Sequence, residues 1–337
     1  MQRPIIRCLV FVEYLVLCDR IVDNMEEYSG SWYILIWNLD IEGVSLKLGP
    51  GISIRRLDDD ISVFDLAATG AAGFREWAML EIFLPRCVCE IASAQDMALE
   101  PGYDTLSRAW LASALIKLRG FNAHLPLACS SYSWNVIAGH QKRTKGIFEE
   151  ELEEKGVESA VYSPRRALPQ FIGGPCDVHT SLLVPENVKT ILTKEDADWI
   201  NDNYEKFNYL AGKSERFRFA LEAAVVWQYA SGPRVAIAQL WSGIEALFGI
   251  NYELVYRISL QIASLLEERG IARKEKFDKV KKLYEVRSKA VHGEELSFEK
   301  LHKAMLESFD ILSKLLLVNI EKGRPFTSDD FKIAIFY

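Results

Sequence analysis

The sequence predicts an α+β N-terminal domain over residues 1–190, followed by an all-α helical bundle over 191–337. Three observations predict it. Before about residue 190, short aromatic and β-branched runs and one alternating hairpin pattern mix with a single well-capped helix. After Thr193, helix-length segments follow one another across short turns, as antiparallel neighbours do. The composition is that of a folded chain: 337 residues, 49% hydrophobic, with 17 Phe, 13 Tyr and 8 Trp, enough for two cores and too apolar for large-scale disorder.

In the first part, residues 5–18 read as a helix packed on the core. They are interrupted by Arg7 and Glu13, lack a small-residue cleavage site and fall short of the ~20 apolar residues a bilayer span needs. A cytoplasmic protein with no membrane association is therefore expected. Residues 31–39 are aromatic and β-branched and predict a strand. Val44, Leu46 and Leu48, then Gly49-Pro50-Gly51, then Ile52 and Ile54, alternate around a turn and predict a hairpin. Residues 78–91 predict a strand pair, or one strand with Pro85 at an edge or bulge. Asp104 caps a helix over 104–118 that stops before Gly120, and 125–136 return to strand. Residues 142–158 carry a basic and then an acidic run, which predicts a solvated helix or insertion. Residues 163–184, with three prolines and adjacent glycines, predict a loop-rich link.

In the second part, Thr193 with Asp196 forms an approximate capping box. Helices are predicted over 214–230, from Pro233 to Phe248 with Gly249 as stop, over 254–269 with Gly270 as stop, over 274–291 with Gly293 as stop, and over 298–321 with Ser297 as cap. The tail alternates over 332–337 and predicts an added strand.

The net charge of −7 excludes a protein that coats nucleic acid with its whole surface. The six cysteines include no CxxC pair, and no His, Cys or carboxylate group falls at metal-ligand spacing, so neither a metal nor another cofactor is expected. Local charge differs from the total. Between Arg273 and Lys289 there are eight basic residues and three acids, a net +5. Lys281, Lys282 and Lys289 are the candidate phosphate-binding side chains of that stretch.

The helix over 274–291 also breaks its own pattern. At 100° per residue, Phe277, Val280, Leu283, Tyr284, Ala290 and Val291 form one apolar stripe, and Arg287 lies at its centre. A guanidinium there requires a counter-charge, for which Glu245 on the preceding apolar helix is the candidate. His292 follows at the helix terminus, about 140° round and about 7.5 Å along.

The stretch from Leu283 to Gly293, with Arg287, Ser288 and His292 in an Arg-x4-His arrangement, resembles the signature of HEPN domains, specifically the Apea-like group. The segments Ala236 to Phe248 and Tyr256-Arg257-Ile258 resemble that group's other helices. The resemblance covers about residues 195–320. It implies a metal-independent endoribonuclease that works as a homodimer, with two motifs converging across the interface. His292 would act as general base or acid at the ribose 2′-hydroxyl and the leaving oxygen, and Arg287 would stabilise the pentacoordinate phosphate. Ser288, Glu245 and Tyr284 would support them. The products would carry a 2′,3′-cyclic phosphate and a 5′-hydroxyl. Relatives of this architecture serve as toxins or in defence against phage, so residues 1–190 are expected to meet a protein or phage-derived trigger or to select the RNA. The alternatives are a non-catalytic scaffold of the same fold and an RNA- or nucleotide-binding module.

Overall fold

The computed structural model describes residues 30–68, 81, 83–94, 104–142, 154, 171–172, 188–249 and 254–336. The chain divides into two compact units, one formed by 1–179 with 186–205 and the other by 180–185 with 206–337.

The first unit is built on a six-stranded antiparallel sheet. Its strands are β1 (Trp32–Trp37), β3 (Ser45–Gly49), β4 (Ile52–Arg56), β5 (Cys89–Ser93), β6 (Leu125–Ser130) and β7 (Phe171–Ile172), in the order β3-β4-β5-β1-β6-β7. All six residues of β1 are buried, which suits a central strand of unbroken apolar sequence. β3 and β4 form the expected hairpin around Gly49-Pro50-Gly51. The β1–β6 register slips between Leu35 and Ile36, where the partner is Pro126, a residue with no amide to donate. A separate parallel pair joins β2 (Asp40–Ile41) to β8 (Ile191–Leu192). Around the sheet lie α1 (Val63–Ala68), α2 (Thr105–Leu118) and α3 (Trp134–Ile137). Asp104 caps α2 through Ser107 N–H, as the sequence predicts.

Two expectations in this unit are corrected. Residues 125–136 are not one strand: β6 ends at Ser130, and the Ser133 hydroxyl accepts the Asn135 amide to start α3. Within 78–91 the described residues hold only the start of β5, preceded by a 3-10 turn over Leu84–Arg86 that takes Pro85 near its N-terminus. The predicted helix over 5–18 lies outside the described residues. So do 142–158 and 163–184, apart from Lys142, Glu154 and the β7 pair.

Two buried polar groups mark this unit. Glu90 on β5 is fully buried, with Oε1 accepting from Arg55 Nε at 3.0 Å and from the Ser133 hydroxyl at 3.0 Å, and Oε2 accepting the Trp134 amide at 2.7 Å. On α2, Lys117 is 1% exposed, and its Nζ donates to the carbonyl of His124 at 3.5 Å. The His124 ring bridges Ser113 Oγ and the Phe121 carbonyl. Burial pushes Lys117 down to about 7 and, with the Lys117 charge beside it, pushes His124 down to about 3.

The second unit is helical: α4 (Lys194–Lys213, whose first part belongs to the first unit), α5 (Glu215–Val226), α6 (Pro233–Phe248), α7 (Leu254–Leu266), α8 (Ile271–Val291), α9 (Phe298–Lys322) and α10 (Ser328–Phe336). Thr193 and Asp196 make the reciprocal cap of α4. The units therefore divide inside α4, beyond the expected boundary at 190/191, because β8 pairs with β2 and Asp196 is held by Arg119 at 2.9 Å. α5 and α6 approach closely: a Cβ on Gly243 would meet the Ala223 methyl at 2.7 Å, so this crossing depends on glycine. Trp227, Trp241, Ile244, Phe309 and Leu312 form the centre of the helical core. α7 ends at Leu266 and α8 starts at Ile271, so the break lies three residues earlier than the sequence predicts and Gly270 ends it instead of opening it.

The tail is a helix and not a strand. Asp330 accepts from both terminal nitrogens of Arg324, at 2.6 and 2.8 Å, and from the amide and hydroxyl of Thr327, each at 2.8 Å. This cap overrides the alternation of 332–337. Among the described residues, no helix is long and apolar enough to cross a membrane.

Stability should follow the buried lysine. In the folded chain Lys117 gives up its proton near pH 7, whereas the unfolded chain holds it until about 10.5, so the unfolded state binds more protons in between. Stability is therefore expected to rise with pH across that window, and Lys117→Met to abolish the rise and stabilise the fold at pH 7. Urea midpoints measured from pH 6 to 10 on both proteins check this.

Candidate active site

The apolar stripe of α8 faces its neighbours much as its sequence requires. Val280, Leu283, Tyr284 and Ala290 are buried. Val291 is not: it is 49% exposed, and Val286 is buried instead. The core therefore covers a slightly rotated face of the helix.

Arg287 lies within this face, its side chain 23% exposed. Its Nη2 is 3.1 Å from Glu245 Oε1 and donates to Oε2 at 3.4 Å, so the carboxylate on α6 is the counter-charge that an inward guanidinium needs. The guanidinium also lies over the Tyr284 ring, 5.4 Å from its centroid. Tyr284 packs edge-on against Trp241 at 5.1 Å. Its phenol is raised above the usual range, by burial first and then by the Glu245 charge, with Arg287 acting the other way. Arg287, Glu245 and Tyr284 are thus one cluster. The Nε of Arg287 is buried with no hydrogen-bond acceptor, a donor left over beside the paired Nη2.

His292 is exposed at the C-terminal cap of α8, where its amide donates to the Ser288 carbonyl at 3.0 Å. Gly293 follows with φ +76, and the Glu294 amide returns to Lys289 O at 3.0 Å, closing the helix end. On the helix wheel His292 falls with Lys281, Lys282 and Lys289 within about 100°, all four exposed. Arg287 lies about 140° from His292 on that wheel. The structure thus groups Arg287 with Glu245 and Tyr284, and places His292 on the side of α8 that carries the three lysines, with Lys289 within a turn of it and Lys281 and Lys282 about 15 Å or more along the axis. Ser288, half-buried, touches the second group through its carbonyl.

The basic stretch is less open than its charge count implies. Arg273 donates to the carbonyls of Glu267 and Ala334, Lys276 pairs with Glu267 at 3.0 Å, and Lys279 pairs with Glu307 at 3.0 Å. These cations tie α8 to its surroundings. Asp278 and Glu285 interrupt the face that carries Lys281 and Lys289.

One residue of this region escaped the sequence reading. Arg234, in the first turn of α6, donates to the carbonyls of Ala290 at 3.1 Å and Glu294 at 2.6 Å. A cation in a first helical turn opposes its own helix dipole, which was the available signal.

Among the described residues, no group of three or more His, Cys, Asp or Glu side chains could hold a metal ion. No model of a known family, no curated protein and no solved structure matches the chain.

Removing one member of the half-buried pair exposes its worth. Glu245→Ala leaves Arg287 unpaired and is expected to lower stability by about 1–3 kcal/mol. Arg287→Met, which removes the charge and suits the apolar stripe, should cost less, and adding Glu245→Ala to it should cost little more. Urea unfolding of the three variants provides the comparison.

Proposed function

We propose that the chain is a metal-independent endoribonuclease with a helical unit of HEPN type, acting as a homodimer in the cytoplasm as a toxin or anti-phage effector. The observation that carries this reading is the presence on one helix of a half-buried guanidinium at Arg287, oriented by Glu245, and an exposed imidazole five residues on, at the helix end.

In the proposed reaction His292 takes the proton of a ribose 2′-hydroxyl, or returns one to the leaving 5′-oxygen. An imidazole suits either role near neutral pH. The 2′-oxygen attacks the adjacent phosphorus, the bond to the 5′-oxygen breaks, and a cyclic phosphate forms. Arg287, whose side chain stays 23% exposed, stabilises the charge on the phosphorane through its planar donor fork. Glu245 and Tyr284 hold the guanidinium in place, and Ser288 joins the last turn to the His292 amide. The divergence of Arg287 and His292 around the helix favours a site completed by a second copy, with groups of both chains meeting on one phosphate. Lys289 supplies a phosphate contact near His292, and Lys281 and Lys282 supply contacts further along the same side of α8. The first unit is proposed to receive a protein or phage-derived trigger.

A second reading, a non-catalytic scaffold or RNA- or nucleotide-binding module, is favoured by the occupancy of Arg287: its Nη2 is already held by Glu245. One experiment separates the two. Purified full-length protein is incubated with total RNA in EDTA, alone and with the extract of phage-infected cells. The ribonuclease reading expects cleavage that falls by about 100-fold or more in His292→Ala and in Arg287→Ala. Equal cleavage by wild type and His292→Ala, or none by either in any condition, contradicts it.

A further inference from the structure

We propose that Arg234 is the positioning residue for His292, a role that rests on the reading of His292 as the acid–base group. The two carbonyls that Arg234 holds, Ala290 O at 3.1 Å and Glu294 O at 2.6 Å, bracket His292 in the chain, two residues to either side. A single rigid guanidinium therefore spans the turn from which the imidazole projects.

That turn needs such a support. His292 is the C-cap of α8, with φ −83 and ψ 3, and it is followed by Gly293 at φ +76. It lies at the end of the helix, where backbone carbonyls lack intrahelical donors and fraying is easiest. Its imidazole is exposed, so no surrounding core fixes it. Within the helix, the His292 and Glu294 amides return to Ser288 and Lys289. The carbonyls of Ala290 and Glu294 receive their donors from α6.

Arg234 is poorly placed for any other purpose. It sits directly after Pro233, in the first turn of α6, where the helix dipole disfavours a cation. The same charge is favourable at the C-terminal end of α8, where the dipole has the opposite sign. The planar fork matters as well: a lysine ammonium reaches one carbonyl readily, whereas the guanidinium holds two at fixed separation. Arg234 thereby connects the rigid start of α6, set by Gly232-Pro233, to the terminal turn of α8.

The test uses the full chain as wild type, Arg234→Lys and Arg234→Ala, with two measurements on each. Amide hydrogen exchange at His292 and Glu294 reports the turn itself, and kcat and KM for RNA cleavage report its consequence. Arg234→Ala is expected to speed exchange at both amides by about tenfold and to lower kcat by about tenfold with KM nearly constant. Arg234→Lys should recover part of both losses, and millimolar guanidinium ion should restore turnover in Arg234→Ala. Unchanged exchange at His292 and Glu294 in Arg234→Ala overturns the proposal. So does faster exchange with unchanged kcat, or a loss confined to KM. If His292→Ala cleaves as wild type does, or neither cleaves, the acid–base reading falls and takes the positioning role with it, whatever the exchange result shows.

Discussion

A cation placed in an apolar helix face must find a counter-charge, and the helical unit is arranged around meeting that requirement. Desolvating a guanidinium without compensation costs several kcal/mol, more than any single packing contact on α8 returns. Glu245 supplies the opposite charge, and Tyr284 adds a ring below the guanidinium. The relation of α6 to α8 follows from this cluster. Trp241 extends it into the core, since its ring packs on Tyr284 and its Nε1 donates to Ser308 on α9 at 3.0 Å. Three helices are thus joined through one polar group.

Pairing and reactivity pull in opposite directions at such a site. A guanidinium satisfied on every side has nothing left for a phosphate, and an unsatisfied one destabilises the fold. Arg287 lies between these limits, with Nη2 held and Nε buried without an acceptor. His292 carries the complementary property: it projects from a helix end into solvent, on the side of α8 that carries Lys281, Lys282 and Lys289. In the proposed reaction, the inward, fixed guanidinium would stabilise charge on the phosphorus and the outward imidazole would move the proton.

Much of this was legible in the sequence because its causes are local. The caps at Asp104, Thr193 and Ser297 and the stops at Gly249 and Gly293 act within a few residues, and they place these helix ends where the pattern predicts. The Gly49-Pro50-Gly51 turn is equally local. Glu245 could be identified because it is the acid on the flank of an apolar helix. Three features depend on contacts distant in sequence and were hidden. The end of β6 follows from Ser133, which caps α3 while bonded to Glu90 on another strand. The burial of Lys117 and His124 follows from the packing of α2 on the sheet. The bracket by Arg234 joins residues 56 and 60 positions apart. The tail failed for a different reason, because a short alternating run was weaker than the cap made by Thr327 and Asp330.

The chemistry of the cut ends tests the central claim most directly. RNA incubated with the full-length protein in EDTA, and analysed by mass spectrometry of the fragments, should show 2′,3′-cyclic phosphates upstream of each cut and 5′-hydroxyls downstream. Fragments ending in 3′-hydroxyl and 5′-phosphate, or cleavage that EDTA abolishes, would contradict it.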